Sequence, residues 1–335
     1  MADFAVLGAG AMGTAISYLL ASNGYKVNVW ARRNEVVDEI NKKKRNSEYL
    51  PNVTLPDGIS ATADLQRCLE SSEKVVLAVP SHAVYDLLLK LRKYQISKKY
   101  WLNVAKGMIV DFGCTISRML IDRLQIEEDK ISVLSGPNFA IEIVKYAPTV
   151  SILGCRSKTT ATIFRDALEN RCFLVRVTED LEGVEAGGIL KNIGAIAIGL
   201  LDGLDLGDNV RGLIFTEYVE EGIRVGTDVF KAKMETLLGP AFLGDLVTTA
   251  FSLKSRNRLI GLLASKNVAN IPNYTFIAEG RNCAEIIKVL AHKHKISVPV
   301  IEFVCETLSG VKPYVAFNSL WKKLKEESKA SRPPT

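Results

Sequence analysis

The sequence predicts an α/β protein: a doubly wound, mostly parallel sheet in the N-terminal part and an all-α C-terminal part. Three observations predict it. Residues 4–13 read FAVLGAGAMG, a short apolar run ending in Gly8, Gly10 and Gly13. Val/Ile/Leu-rich runs then alternate with helical patterns as far as about residue 177. Beyond that, strand signals fade and helical periodicity dominates. Continuous apolar strands separated by helices indicate a parallel sheet covered on both faces.

The elements follow in order. Phe4–Leu7 reads as a buried strand and Thr14–Ala21 as a helix. Tyr25–Trp30 is a second strand after the turn at Asn23–Gly24, and Asn34–Lys43 is a charged amphipathic helix. The basic run Asn41–Arg45 fits that helix's C-terminal end, where cations complement the dipole. Asp64 caps a helix running to about Leu69. Lys74–Val79 is a buried strand stopped by Pro80, and Ser81 caps the next helix. Tyr100–Ala105 and Ile131–Leu134 are further strands, and the pattern changes after about Cys172–Val177. Past them, GGILKNIGAIAIGLL, RGLIFTEYVEEGIRV and AEIIKVLAHKHKI read as long helices, with Glu217, Glu220 and Glu221 on a solvated face. The expected organisation is an α/β domain over 1–180, a helical domain over 181–325, and a flexible tail over 326–335.

Composition narrows the function. The net charge is +6 over 335 residues, without a basic stripe interleaved with aromatics, so no nucleic-acid partner is expected. Ile193–Leu201, bounded by Lys191 and Asp202, reads as a buried helix, so no membrane insertion is expected either. The apolar start lacks a basic n-region and is broken by glycines, unlike a signal peptide. Six cysteines without a C-x-x-C pair read as buried free thiols in a reducing, cytoplasmic compartment. His82, His292 and His294 show no metal-ligand spacing, so no metal is expected. His82 reads as a loop residue shaping a pocket, and Ser81 lies in no G-x-S-x-G elbow.

The glycine spacing is G-x-G-x-x-G. Gly8 suits a tight turn, Gly10 a close approach of a pyrophosphate, and Gly13 the packing of helix on sheet. The N-terminus of the helix that follows offers unpaired N–H groups to an anion. Ligands of such sheets sit beyond the carboxyl ends of the strands, so Gly8–Met12, Ala31–Arg33, Pro80–His82, Lys106–Gly107 and Ser135–Asn138 are expected to cluster. An NAD site usually carries an acidic residue after the second strand; here Arg32 and Arg33 stand there. Two guanidiniums suit a 2′-phosphate and no carboxylate is expected there to repel it, which favours NADP with NAD possible. In the helical part, Lys191 lies among Ile189, Leu190, Ile193 and Ile196, with Asn192 beside it. Burial or a nearby cation would bring such an amine toward working pH and suit a general acid–base. A carboxylate neighbour would act the other way, and a structural lysine fits the same pattern.

GAGAMG, NSEYLPNVTLPDGI, LAVPSHAV, VAKG, SGPNFAIE, LKNIGAIAIGLLDGL, GDLVTTAFSLKSRNR and FIAEGRN occur in this order between about residues 3 and 310. With them the chain resembles the soluble NAD(P)-dependent glycerol-3-phosphate dehydrogenases. The resemblance implies that 1–180 is a Rossmann-type dinucleotide-binding domain and 181–325 a helical substrate and catalytic domain, and it implies reversible hydride transfer between NAD(P)H and dihydroxyacetone phosphate, giving sn-glycerol 3-phosphate for phospholipid synthesis. It implies Lys191 as the lysine that protonates the carbonyl oxygen and Lys106 as a second active-site lysine. Asp245 would orient the site with Thr249 near it, and Asn192 would hydrogen-bond substrate. Ser255, Arg256 and Asn257 would grip the phosphate, with Gly136 and Asn138 on the substrate side. Cofactor contacts would come from Gly8, Gly10, Ala11, Met12, Gly13, Arg32, Arg33, Tyr49, Pro80, Lys106, Ala140, Arg256, Ile277 and Glu279. Met12 stands where many relatives carry an aromatic, and Ala250 and Phe251 where small residues or cysteine are common. A homodimer is the oligomer that the family suggests. Two other readings share the architecture: a reductase of another small keto acid, similar to 6-phosphogluconate dehydrogenases or ketopantoate reductases, and a non-catalytic dinucleotide sensor.

Overall fold

The computed structural model describes residues 1–266 and 279–330. It divides into two compact units, Met1–Glu185 and Ala186–Thr335.

The first unit is built on a sheet of eight strands. Its elements are β1 (Phe4–Leu7), α1 (Ala11–Ser22), β2 (Val27–Trp30), α2 (Asn34–Lys43), β3 (Ile59–Thr62), α3 (Leu65–Glu70), β4 (Lys74–Leu77), α4 (Ser81–Leu91) and β5 (Tyr100–Asn103). A short hairpin follows, β6 (Met108–Ile109) and β7 (Cys114–Thr115), and then α5 (Ile116–Leu124), β8 (Ile131–Ser135), α6 (Ala140–Val144), β9 (Thr149–Cys155), α7 (Lys158–Leu168) and β10 (Phe173–Thr178). The sheet order is β10-β9-β8-β5-β4-β1-β2-β3. From β3 to β8 every pairing is parallel, in the 3-2-1-4-5-6 order of a dinucleotide-binding sheet. The switch point falls between β1 and β4, where Val6 pairs with Val29 on one side and Val76 on the other. β9 runs antiparallel to β8, and β10 runs parallel to β9.

The sequence reading misses β3, β9 and the hairpin. β3 is four residues at the sheet edge, with Ile59 and Ala61 buried and Ser60 exposed, too short for a periodic signal. β9 reads TVSILGC, and its polar start hides it. Asp64 caps α3 as expected, accepting from the Arg67 N–H at 3.1 Å. Ser81 does not cap α4: Pro80 holds the cap position and Ser81 is the first helical residue. His82 accordingly lies in the first turn of α4, exposed, and not in a loop. All six cysteines are free, Cys114 and Cys172 half-buried and the other four buried.

The second unit is helical among its described residues. Helix α8 (Leu181–Leu204) is followed by α9 (Asp208–Phe230), α10 (Met234–Leu237), a π-helical turn (Pro240–Gly244), α11 (Asp245–Phe251), α12 (Arg256–Ser265), α13 (Glu279–Lys293), α14 (Pro299–Leu308) and α15 (Pro313–Ala330). Residues 326–330, expected as flexible tail, are the last turn of α15. By length and composition α8 could cross a membrane, but its apolar window is wholly buried inside the protein. Ile189, Leu190, Ile193, Ile196 and Leu200 are among its fully buried side chains. Its backbone nearly touches that of α12: a Cβ on Gly199 would lie 2.0 Å from the Arg258 carbonyl, and one on Gly261 2.1 Å from the Ile196 carbonyl.

Glu221 departs from the expected solvated face. Glu220 is exposed, whereas Glu221 is fully buried and accepts the N–H groups of Val300 at 2.6 Å and Ile301 at 3.1 Å. These are orphan donors at the start of α14, so a side chain of α9 caps a distant helix. Burial pushes the Glu221 carboxyl up to about 8, against the pull of those two N–H groups and of Arg224 and with a push from Glu302. Between the ordinary carboxylate pKa and about 8 the folded chain therefore holds a proton that the unfolded chain has lost. Stability from this group is present at acid pH and falls as pH rises through that window. Chemical denaturation from pH 5 to 9 is expected to show a smaller decline in Glu221→Gln than in wild type; equal declines would contradict this assignment.

Candidate active site

The turn after β1 is shaped by contacts that exclude side chains. Gly8 has φ +119°, and a Cβ there would lie 2.8 Å from the Ala78 carbonyl beyond β4. A Cβ on Gly13 would lie 1.9 Å from the Gly8 carbonyl. Gly10 differs: its φ is −74° and a Cβ would meet nothing within 4 Å. The fold itself does not need glycine there, so the open space suits a ligand pressed against the backbone. Ala11 and Met12 open α1, whose first turn holds no acidic residue. The first N–H groups of a helix lack partners within it and favour an anion. These features fit a dinucleotide pyrophosphate. Asn46, which sequence reasoning passed over, braces this turn. It is buried, and its Nδ2 donates to the Ala9 carbonyl and the Thr14 hydroxyl, each at 2.8 Å. Its one signal was its place in the NSEYLP run.

At the end of β2, Arg32 and Arg33 are exposed. Arg33 is ion-paired with Glu48, and the Tyr49 hydroxyl lies 3.4 Å from the same guanidinium. This corrects the reading that no carboxylate stands near these arginines. The chain between α2 and β3 carries one in from a later position. Pro80, at the start of α4, is exposed.

Beyond β5 and β8, three expected residues meet. The Lys106 ammonium donates to the Gly136 carbonyl and to Asn138 Oδ1, both at 2.8 Å. Asn138 is buried and donates in turn to the Ser151 hydroxyl on β9 at 3.0 Å. Gly136 has φ +127°, and a Cβ there would lie 3.0 Å from the Val150 carbonyl. The overlooked strand β9 therefore supports this corner. Ala140 opens α6, half-buried.

In the second unit the structure gathers Lys191, Asp245 and Thr249. The Lys191 ammonium donates to the Thr249 hydroxyl at 2.9 Å and lies 3.3 Å from Asp245 Oδ1. Thr249 donates to the same carboxylate oxygen at 3.1 Å, one helical turn on. All three are buried, the Lys191 side chain 9% exposed. The neighbour left open by the sequence is thus a carboxylate. The π-helical turn Pro240–Gly244 immediately precedes Asp245 and sets the direction in which α11 starts, a device frequent at functional sites. Asn192 accepts from Asn257 Nδ2 at 2.8 Å, and Asn257 Oδ1 accepts from the Gly280 N–H at 3.2 Å. Ser255 caps α12 through the Arg258 N–H, leaving Arg256 exposed at its first position. Arg258 is engaged by Asp202 at 2.7 Å. Ile277 and the Glu279 side chain lie outside the described residues. Among the described residues no cluster of His, Cys, Asp or Glu could hold a metal ion.

Comparison with known proteins identifies a family that covers both units. Residues 3–161 match the family model for the N-terminus of NAD-dependent glycerol-3-phosphate dehydrogenase, and residues 180–317 the model for its C-terminus. A glycerol-3-phosphate dehydrogenase [NAD(P)+] of Moorella thermoacetica is 36% identical over 93% of this chain and 92% of its own. One of Bacillus pumilus is 34% identical over 97% and 95%. The crystal structure of glycerol-3-phosphate dehydrogenase from Coxiella burnetii is 32% identical, covers 96% of this chain and 98% of its own, and superposes with a TM-score of 0.88.

The glycines separate folding from binding. Gly10→Ala is expected to leave the melting temperature unchanged while weakening NADPH in a fluorescence titration by tenfold or more. Gly13→Ala, which drives a methyl into the Gly8 carbonyl, is expected to destabilise by about 1–3 kcal/mol. Equal melting temperatures for the two variants would contradict the packing argument.

Proposed function

The chain belongs to the NAD-dependent glycerol-3-phosphate dehydrogenase family, and from that premise we propose the reaction it performs and the part each residue plays. It reversibly reduces dihydroxyacetone phosphate to sn-glycerol 3-phosphate with NADPH or NADH. The observation that carries this is the buried Lys191–Asp245–Thr249 cluster, paired in sequence with the SRN corner that opens α12. Met1–Glu185 acts as the dinucleotide-binding domain and the helical unit as the substrate and catalytic domain.

When bound, the nicotinamide supplies the hydride to the carbonyl carbon. Lys191 holds the proton for the carbonyl oxygen, and Asp245 and Thr249 fix where its amine points. Asn192, held by Asn257, orients the substrate's hydroxyl and carbonyl groups. Ser255, Arg256 and Asn257 hold the phosphate at the start of α12, where a guanidinium fork and helical N–H groups suit an oxyanion. Lys106 presents a second ammonium beside Gly136 and Asn138. The glycine turn, with Ala11 and Met12, holds the pyrophosphate, and Tyr49, Pro80 and Ala140 line the cofactor's path.

The same reading makes it a cytoplasmic protein, consistent with its free thiols, and a homodimer, for which the exposed Val247, Phe251 and Leu253 offer apolar surface. A keto-acid reductase is not favoured, because the matching relatives named above carry the phosphate-substrate name over nine-tenths of this chain.

The test is loss of NADPH absorbance on adding dihydroxyacetone phosphate; a non-phosphorylated keto acid turning over faster would overturn the reading. Lys191→Ala is expected to lower turnover by about 10²–10⁴-fold while the folded variant binds NADPH within about twofold of wild type. Near-normal turnover would remove Lys191 from its role. Arg32 and Arg33 favour NADP, and Glu48 opposes its 2′-phosphate by charge and by occupying Arg33. Glu48→Gln is therefore expected to raise the NADPH/NADH ratio of kcat/KM severalfold, an effect that Arg33→Ala should abolish.

A further inference from the structure

Glu185 is a buried carboxylate that none of these steps uses. It is 2% exposed, and burial pushes its pKa up. A charge in such a place is costly unless donors surround it. Here they do: Oε1 accepts from the Ser117 N–H at 3.0 Å and from Asn103 Nδ2 at 3.3 Å, and Oε2 accepts from the Ser117 hydroxyl. Ser117 lies in the first turn of α5, so the carboxylate also faces a helix N-terminus.

Asn103 is fully buried at the end of β5. Its amide has one usable orientation. Oδ1 accepts from the Ala105 N–H at 3.0 Å, an obligatory donor, so Nδ2 must face Glu185. Nδ2 also reaches the Ala105 carbonyl at 3.4 Å. The Asn103 side chain thus grips both backbone groups of the residue before Lys106. We infer that Glu185 is a positioning residue for Lys106: by locking Asn103 it fixes the turn after β5 that aims the ammonium at the Gly136 carbonyl, Asn138 and the substrate. The inference rests on the reading of Lys106 as an active-site residue.

The experiment compares wild type with Glu185→Ala, Glu185→Gln and Asn103→Ala, each alone and combined with Lys106→Ala, with rates taken per folded molecule. Glu185→Ala and Asn103→Ala are expected to lower kcat/KM for dihydroxyacetone phosphate about tenfold, with the Kd for NADPH within twofold of wild type. Glu185→Gln should recover most of that loss, because its amide oxygen still accepts from Ser117 and Asn103. In the Lys106→Ala background Glu185→Ala should cost nothing further. That non-additivity is a result that general destabilisation does not produce. Full additivity, or unaltered kinetics in Glu185→Ala, overturns the inference. Should Glu185→Ala not fold, Asn103→Ala, which keeps the Ser117 bonds, carries the same comparison. The ¹³C resonance of reductively methylated Lys106 reads the linkage without turnover: it should move in Asn103→Ala and Glu185→Ala and return in Glu185→Gln. An unmoved resonance overturns the inference. A wild-type chain inactive on dihydroxyacetone phosphate overturns only the functional reading, and the resonance then decides this one.

Discussion

Helix α1 approaches the ends of β1 and β4 so closely that side chains are excluded from the contact. The Gly8 position looks onto the Ala78 carbonyl, and the Gly13 position onto the Gly8 carbonyl. Because the backbone itself is the contact surface, the N-terminus of α1 lies at the switch point of the sheet with little freedom. The anion-binding character of that end follows from geometry alone. Asn46 adds a second restraint from the chain after α2, tying Ala9 to Thr14.

The same economy appears at the side chains proposed to act on substrate. Lys106, Asn192 and Lys191 are all held by buried or half-buried polar partners that are themselves hydrogen-bonded to backbone or to another held side chain. Such networks cost stability when half made and give a single geometry when complete. Helices are used as polar partners in the same way. Glu221 caps α14, Glu185 meets the start of α5, and Ser255 caps α12. Carboxylates at the first two places look like ordinary surface acids in the sequence. Burial and helix ends give them their work.

Parts of the site were legible because the chemistry is local. Gly8, Gly10 and Gly13 act within one turn, and Lys191 and Asn192 stand in a helix whose apolar neighbours announce burial. Glu48 was not legible, since its partner Arg33 lies fifteen positions earlier and an intervening loop folds back to join them. Asn103 and Glu185 were not legible for the same reason at longer range, eighty-two positions apart. β3 and β9 were missed because short or polar-flanked strands owe their existence to the neighbours they pair with.

From the sequence alone came the class of fold, the order of its two parts, and the residue types proposed to hold a dinucleotide and move a proton. Those properties depend on periodicity and on spacings of a few residues, where backbone geometry translates directly into position. Tertiary structure decided which charges meet: Asp245 and not a cation beside Lys191, Glu48 on Arg33, Glu221 inside the helical unit. Electrostatic partners are chosen through space by how helices and strands pack, and one-dimensional spacing carries no record of that choice.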